Sequence, residues 1–217
     1  MTRELRVHDR AERDDLATFV GRVVRLDDAA VVRLRRRSDG TVGVFASTGF
    51  DALAARVVRA ELSPADTTVN AADLLAALAI ARGDAMDPGF AVDAAWRSAL
   101  PPEDGFRHVD DVPAAVLAEL SERGVALARE HAGPQGPPTS LLDQVVLTVA
   151  AAGADDELRV DVPMRCVFAL QGMGFVGEDA DGGAAVRVRA TSGWLRLDAR
   201  YGSVLRRRHP QLPLLIA

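Results

Sequence analysis

From Ala11 to Leu26 the apolar residues Leu16, Phe19, Val20, Val23 and Val24 recur at three- and four-residue steps, with Asp14 and Asp15 near the start. That spacing predicts an amphipathic helix whose acidic first turn suits the helix dipole. Asp27-Asp28 break it. Val32 and Leu34 then alternate with Arg33 and Arg35 before Ser38-Asp39-Gly40 turns the chain into Thr41–Ala46, a predicted hairpin. A valine-rich run from Leu53 to Leu62, ended by Ser63-Pro64, adds a third strand and makes a meander.

Asn70, with Asp73 three residues on, opens a helix carrying Leu74, Leu75 and Leu78, which Gly83 stops. Pro88-Gly89, Pro101-Pro102 and Gly105 interrupt the next stretch, yet Phe90, Trp96 and Phe106 sit among them. Exposing such side chains forgoes burial worth roughly 1.5–3 kcal/mol each, so a packed connection is expected rather than a free tether. Asp111-Val112-Pro113 reads as the capped start of a long helix through Leu117, Leu120 and Leu127 to about Glu130. Gly133–Pro138 is a predicted loop, and Ser140 with Asp143 a capping pair for a helix through Val149 that ends at Gly153.

Asp155-Asp156-Glu157 reads as a solvated turn and Leu158–Val160 as a short strand. The helix from Pro163 to Met173 is apolar on nearly every side, the mark of a buried helix. Gly177–Gly183 is a polar loop. A final hairpin pairs Ala185–Ala190 with Trp194–Ala199, with Val186, Val188, Leu195 and Leu197 facing inward. The apolar tail Leu212–Ala217 suggests docking on the protein's own core or on a second subunit, which makes a homodimer one expectation.

These elements make an α+β chain of two packed halves, each with a helix followed by an antiparallel hairpin or meander, plus additional helices. The expected division is an N-terminal unit over 1–83, a packed connection over 84–110 and a C-terminal unit over 111–217. Two echoes support the halves. Ala29–Arg35 with Asp39-Gly40 resembles Ala184–Arg189 with Ser192-Gly193, and Asp111-Val112-Pro113, Leu120 and Gly124 match Asp161-Val162-Pro163, Leu170 and Gly174 at an offset of fifty. Shared turn and cap grammar is the plainer explanation, and duplication the sharper one.

All 26 basic residues among the 217 are arginine, which reflects GC-rich coding more readily than selection for bidentate anion recognition. A net charge of −5 argues against coating nucleic acid or membrane by bulk attraction. Met1–Leu16 holds no apolar signal core, no run spans a bilayer, and Cys166 alone forms no internal disulfide, so a cytoplasmic protein is expected.

Candidate chemistry is sparse, and no catalytic residue, metal or cofactor is expected. His108 beside Asp110 and Asp111 falls short of a metal site, Glu178–Gly182 lacks the ligands of a calcium loop, and Gly172-Met173-Gly174 ends a helix instead of opening one. Cys166 lies inside the apolar helix with no partner base. The arginine stripes are the best feature: Arg33, Arg35 and Arg37 share one strand face, Arg187 and Arg189 share another, and Arg196 joins them from the last strand. Joined, they would make a platform for phosphate or an acidic partner; unjoined, a solvated face paired with carboxylates.

From Ser140 to Tyr201, helix, short strand, helix, glycine and basic hairpin resemble the winged-helix order. That architecture is a DNA-binding one, but Met164–Met173 offers base edges mainly Arg165 and Gln171, so a protein-binding or purely structural version is expected. The chain also resembles uncharacterised proteins of GC-rich bacteria, a likeness that carries no activity. The leading expectation is a non-enzymatic binding or assembly module that self-associates. Nucleic-acid or phosphate-ligand binding through the arginines is the alternative, and an enzyme with an unrecognised site the third.

Overall fold

The computed structural model describes residues 3–131, 139–151, 159–176 and 183–208. The chain begins with a short strand β1 (Glu4–Arg6), then α1 (Arg10–Leu26), β2 (Val31–Arg36), β3 (Val42–Ser47), β4 (Leu53–Val58), β5 (Glu61–Ser63), β6 (Asp66–Asn70), α2 (Ala71–Ile80) and β7 (Ala85–Met86). A single 3₁₀ turn, Asp93–Ala95, precedes β8 (Arg107–Pro113), α3 (Ala114–Glu130), α4 (Thr139–Asp143), β9 (Val145–Ala150), β10 (Arg159–Pro163) and α5 (Met164–Gly172). Three strands follow, β11 (Ala185–Ala190), β12 (Trp194–Ala199) and β13 (Gly202–Arg207). The architecture is α+β.

Eight strands form one antiparallel sheet in the order β6-β2-β3-β4-β13-β12-β11-β8. The first four come from one half of the chain and the last four from the other. They meet at a seam where β4 pairs with β13, Ala54 opposite Val204. Two smaller sheets, β5-β1-β7 and β10-β9, complete the strands among the described residues.

The helices cover one face of the large sheet, α1 against α2 and α3 against α5. Val32, Leu34, Val44 and Ala46 point from the first half into this layer, and Val186, Val188, Leu195 and Leu197 from the second. The two cores are continuous: Phe19 of α1 stacks on Phe175, just beyond α5, with ring centroids 6.1 Å apart.

Several sequence expectations are corrected here. Ser140–Val149 is not one helix: α4 stops at Asp143, and Val145–Ala150 pairs with β10 as a strand. Val145, Val146 and Val149 are β-branched and favour that pairing. Asp111-Val112-Pro113 does not cap α3 but closes β8, and Pro113 lies on an edge strand, where a missing N–H is tolerated. Asp161-Val162-Pro163 closes β10 in the same way before α5, so the echo at fifty positions is twice a strand running into a helix through proline.

The Leu53–Leu62 run breaks at Arg59-Ala60 into β4 and β5. The last hairpin gains β13 as a third strand. Both irregular strands are buried on two sides, with Leu53, Ala54 and Ala55 all buried on β4 and Val204 with Leu205 on β13, which erases the alternation that marks a half-exposed strand. Asn70 stands at the start of α2, but its amide reaches Asp73 at 3.5 Å instead of capping the backbone. The expectations for Gly133–Pro138, Gly153, Asp155–Glu157, Gly177–Gly182 and Leu212–Ala217 lie outside the described residues.

Candidate functional site

The face of the large sheet turned away from the helices carries the arginines. Residues 90–106 cross it and divide it. Val92 donates its N–H to the carbonyl of Thr68 at 2.7 Å, and Asp93 accepts the Thr68 N–H at 2.6 Å, so the β6 edge is covered. Trp96 and Phe106 pack with Phe45 and Trp194 on the buried trio Leu53, Ala55 and Leu205, a small apolar cluster over the seam. Further along, Glu103 accepts from the N–H and hydroxyl of Ser38 at 3.0 and 2.8 Å, which holds its carboxyl below the usual range.

The six arginines of the two stripes all lie on this sheet but do not make one platform. From β2 to β11 is five strand spacings, about 24 Å. Arg33 grips Asp66 through two bonds of 2.8 and 2.7 Å and lies over Trp96. Arg187 bonds Asp111 at 3.2 Å, and Arg189 faces Asp198 at 3.6 Å. Arg196 bonds the same Asp198 at 2.7 Å and covers the Phe106 ring. Arg37 pairs with Asp39 at 3.4 Å.

Three of them do converge. Arg35, Arg37 and Arg196 line a cavity of about 650 Å³ along the seam, together with Arg200, Glu103 and an apolar wall of Phe45, Val57 and Leu205. Neither Arg35 nor Arg200 forms an ion pair within 4 Å among the described residues, although Arg35 is near enough to Glu103 to help hold its carboxyl low. A cavity so lined can take an anionic group beside an apolar one, since guanidinium binds carboxylate or phosphate in a planar, bidentate way.

A second cavity, about 510 Å³, shares Leu205 with the first and is lined by Arg97, Arg206, Arg207 and Trp194. Sequence reading missed Arg206 and Arg207 because β13 was not recognised, and Arg97 because it lies in the irregular crossing segment. The signal was the run Arg206-Arg207-Arg208 directly after an apolar pair.

The remaining candidates have structural positions. Cys166 is fully buried in α5, and burial pushes its thiol up to about 12. His108 and Arg187 both bond Asp111, which holds that carboxyl low. No group of three His, Cys, Asp or Glu able to hold a metal ion occurs among the described residues, and no described helix is long and apolar enough to cross a membrane.

This arrangement, helix pairs backed by a sheet that runs unbroken across a seam between half-chains, is a sliding-clamp fold. The chain is similar to the DNA polymerase sliding clamp of Bacillus subtilis, with a TM-score of 0.58 and 11% identity, covering 98% of this chain and 66% of that one. A putative DNA polymerase III beta subunit from Eubacterium rectale matches with a TM-score of 0.58 and 8% identity over 100% of this chain and 67% of that one. The Thermotoga maritima beta subunit matches at 0.52 and 14%, over 98% and 66%. The chain thus spans about two thirds of the clamps' length.

The chain belongs to the family described as domain of unknown function DUF8185, whose model matches residues 101–211; residues 1–98 match the model described as DUF8010. No curated protein matches the sequence. These likenesses overturn the winged-helix resemblance. The terminal ribbon lies within an eight-stranded sheet, flanked by β8 and β13, and α5 is buried beneath that sheet with no face free to enter a groove.

Proposed function

We propose that the chain is a non-enzymatic, cytoplasmic assembly module with a sliding-clamp fold, which self-associates and docks partners on the outer face of its sheet in a DNA-associated assembly. The carrying observation is the match of 98% of the chain to a protein named as a DNA polymerase sliding clamp. The units of this reading are 1–83, the packed connection 84–110 and 111–217, and the helix-plus-meander of each half is a repeat of one unit. Mirror placement supports the repeat: β2, β3 and β4 after α1 stand opposite β11, β12 and β13 after α5 across the seam.

Self-association draws support from the sheet's ends. The β6 edge is covered by residues 92–93, while among the described residues no strand pairs the outer side of β8. An open edge is a template for a second chain. Light scattering on an eluting column tests this: the reading expects a mass above one chain that falls when Val109 or Val112 on β8 becomes proline, and a monomer at high micromolar concentration overturns it.

Nucleic-acid contact through the sheet-face arginines is the second reading, favoured by Arg35 forming no ion pair within 4 Å among the described residues. The helix layer does not favour such contact, because its four long helices carry as many acidic as basic side chains. This reading expects DNA affinity that drops steeply with salt and is lost in R187E/R189E; salt-insensitive binding removes it.

A further inference from the structure

At the end of the seam opposite Arg35 and Arg37, the second cavity holds three guanidinium groups against one carboxylate. Asp51 is that carboxylate, and it is already shared: Arg206 reaches it at 3.3 Å and Arg165 at 3.7 Å. Arg97 and Arg207 have no acidic partner among the described residues. Arg206 also keeps a buried Nε without a hydrogen-bond partner. Two uncompensated cations on one rim favour an anion that arrives from outside the chain.

The opposite wall is apolar, formed by Leu53, Leu205 and Ala99. A ligand that satisfies both walls carries carboxylates and aliphatic groups in alternation. A nucleic-acid strand fits less well, because its bases need open aromatic faces on which to stack. Trp194, the ring lining this cavity, already carries Arg207 at 5.5 Å, and the neighbouring Trp96 and Phe106 carry Arg33 at 5.9 Å and Arg196 at 5.6 Å.

We infer that the cavity between Arg97, Arg207 and Leu205 binds an acidic segment of a partner protein, one that presents carboxylates beside aliphatic side chains. The inference deepens the docking role proposed above by naming the partner's chemistry, and it does not require self-association. Arg97 and Arg207 clamp the carboxylates, while the aliphatic group lies against Ala99 and Trp194, above the buried Leu53 and Leu205.

The test uses the full chain carrying Trp96→Phe, so that Trp194 reports alone. The probes are a capped peptide of alternating glutamate and leucine, its glutamine counterpart, and a short oligothymidylate. The glutamate peptide is expected to change Trp194 fluorescence saturably, with affinity that weakens as salt rises. Replacing Arg97 and Arg207 with alanine lowers that affinity at least tenfold. Arg97→Glu, at an exposed position that leaves Trp194 covered, serves as a second variant and does the same. Equal binding of the glutamine peptide, unchanged affinity in both variants, or tighter binding of the oligothymidylate overturns the inference. A monomeric chain that still binds the glutamate peptide sinks self-association and leaves this site standing.

Discussion

Arg165, buried on α5, donates through Nη1 to the carbonyl of Phe50 at 3.2 Å, and so ties the second half of the chain to the β3–β4 turn of the first. The same guanidinium bonds Asp143 at 2.5 Å through Nη2 and at 3.0 Å through Nε. One side chain thereby joins α5, α4 and a turn more than a hundred residues away.

Arg165→Ala is therefore expected to lower stability by about 2–3 kcal/mol, below the usual cost of breaking a buried pair because Asp143 is half-exposed and regains water. Arg165→Met, which keeps the packed volume, costs less. Urea denaturation of the two variants checks the order, and equal losses refute it.

Gly202 opens β13 where the ring of Phe175 lies 2.5 Å from the place a Cβ would occupy. Phe175 is fully buried against Phe19, so the ring has little room to move. Gly202→Ala is expected to cost about 1–3 kcal/mol through overpacking. Combining it with Phe175→Leu recovers part of that loss, and purely additive effects in thermal melts rule the clash out.

His8 bridges Glu61 at 3.2 Å and Asp84 at 3.3 Å, contacts that raise its pKa above the ordinary value. A raised folded-state pKa gives stability that is complete below the unfolded value of about 6.5 and lost as pH rises through the folded one. The melting-temperature gap between the wild type and His8→Ala is expected to shrink as pH rises above the ordinary histidine value of about 6.5. A gap that widens over that range contradicts the assignment.

Asp111 titrates in the opposite sense. Arg187, then His108, holds its carboxyl below the ordinary range, so this contribution is present above the unfolded value and lost as pH falls through the depressed one. In Arg187→Ala the Asp111 resonance is expected to titrate at higher pH, nearer an ordinary aspartate. Carbon-detected NMR reads this directly.

The Cys166 thiol, fully buried and raised to about 12, is expected to resist thiol reagents in the folded chain and to react at the rate of unfolding. Modification faster than unfolding shows a local opening of α5.

Much of the helical layer was legible because its signals are local. Leu16, Phe19, Val20 and Val23 all face the core of α1 as their spacing implies, and the apolar wrap of α5 matches its burial on both sides. The hairpins of β2 with β3 and β11 with β12 follow from alternation and turn residues in the same way. The failures share a cause. β4 and β13 are covered on two faces, α4 and β9 divide a run of leucines and valines that suits either period, and β8 was hidden behind a sequence that also caps helices.

By itself the sequence determined that α1, α2, α3 and α5 coil, that β2, β3, β11 and β12 pleat, and that arginines would line the exposed side of those ribbons, since each of these depends on neighbours within a few residues. Tertiary structure alone decided that β4 meets β13, that residues 90–106 cross the outer face, and that Arg35, Arg37 and Arg196 share one cavity while Arg97, Arg206 and Arg207 share another. The β4–β13 pairing sets Ala54 opposite Val204, 150 residues on, and the choice among possible strand partners rests on the burial each complete sheet achieves, a property that no local pattern carries.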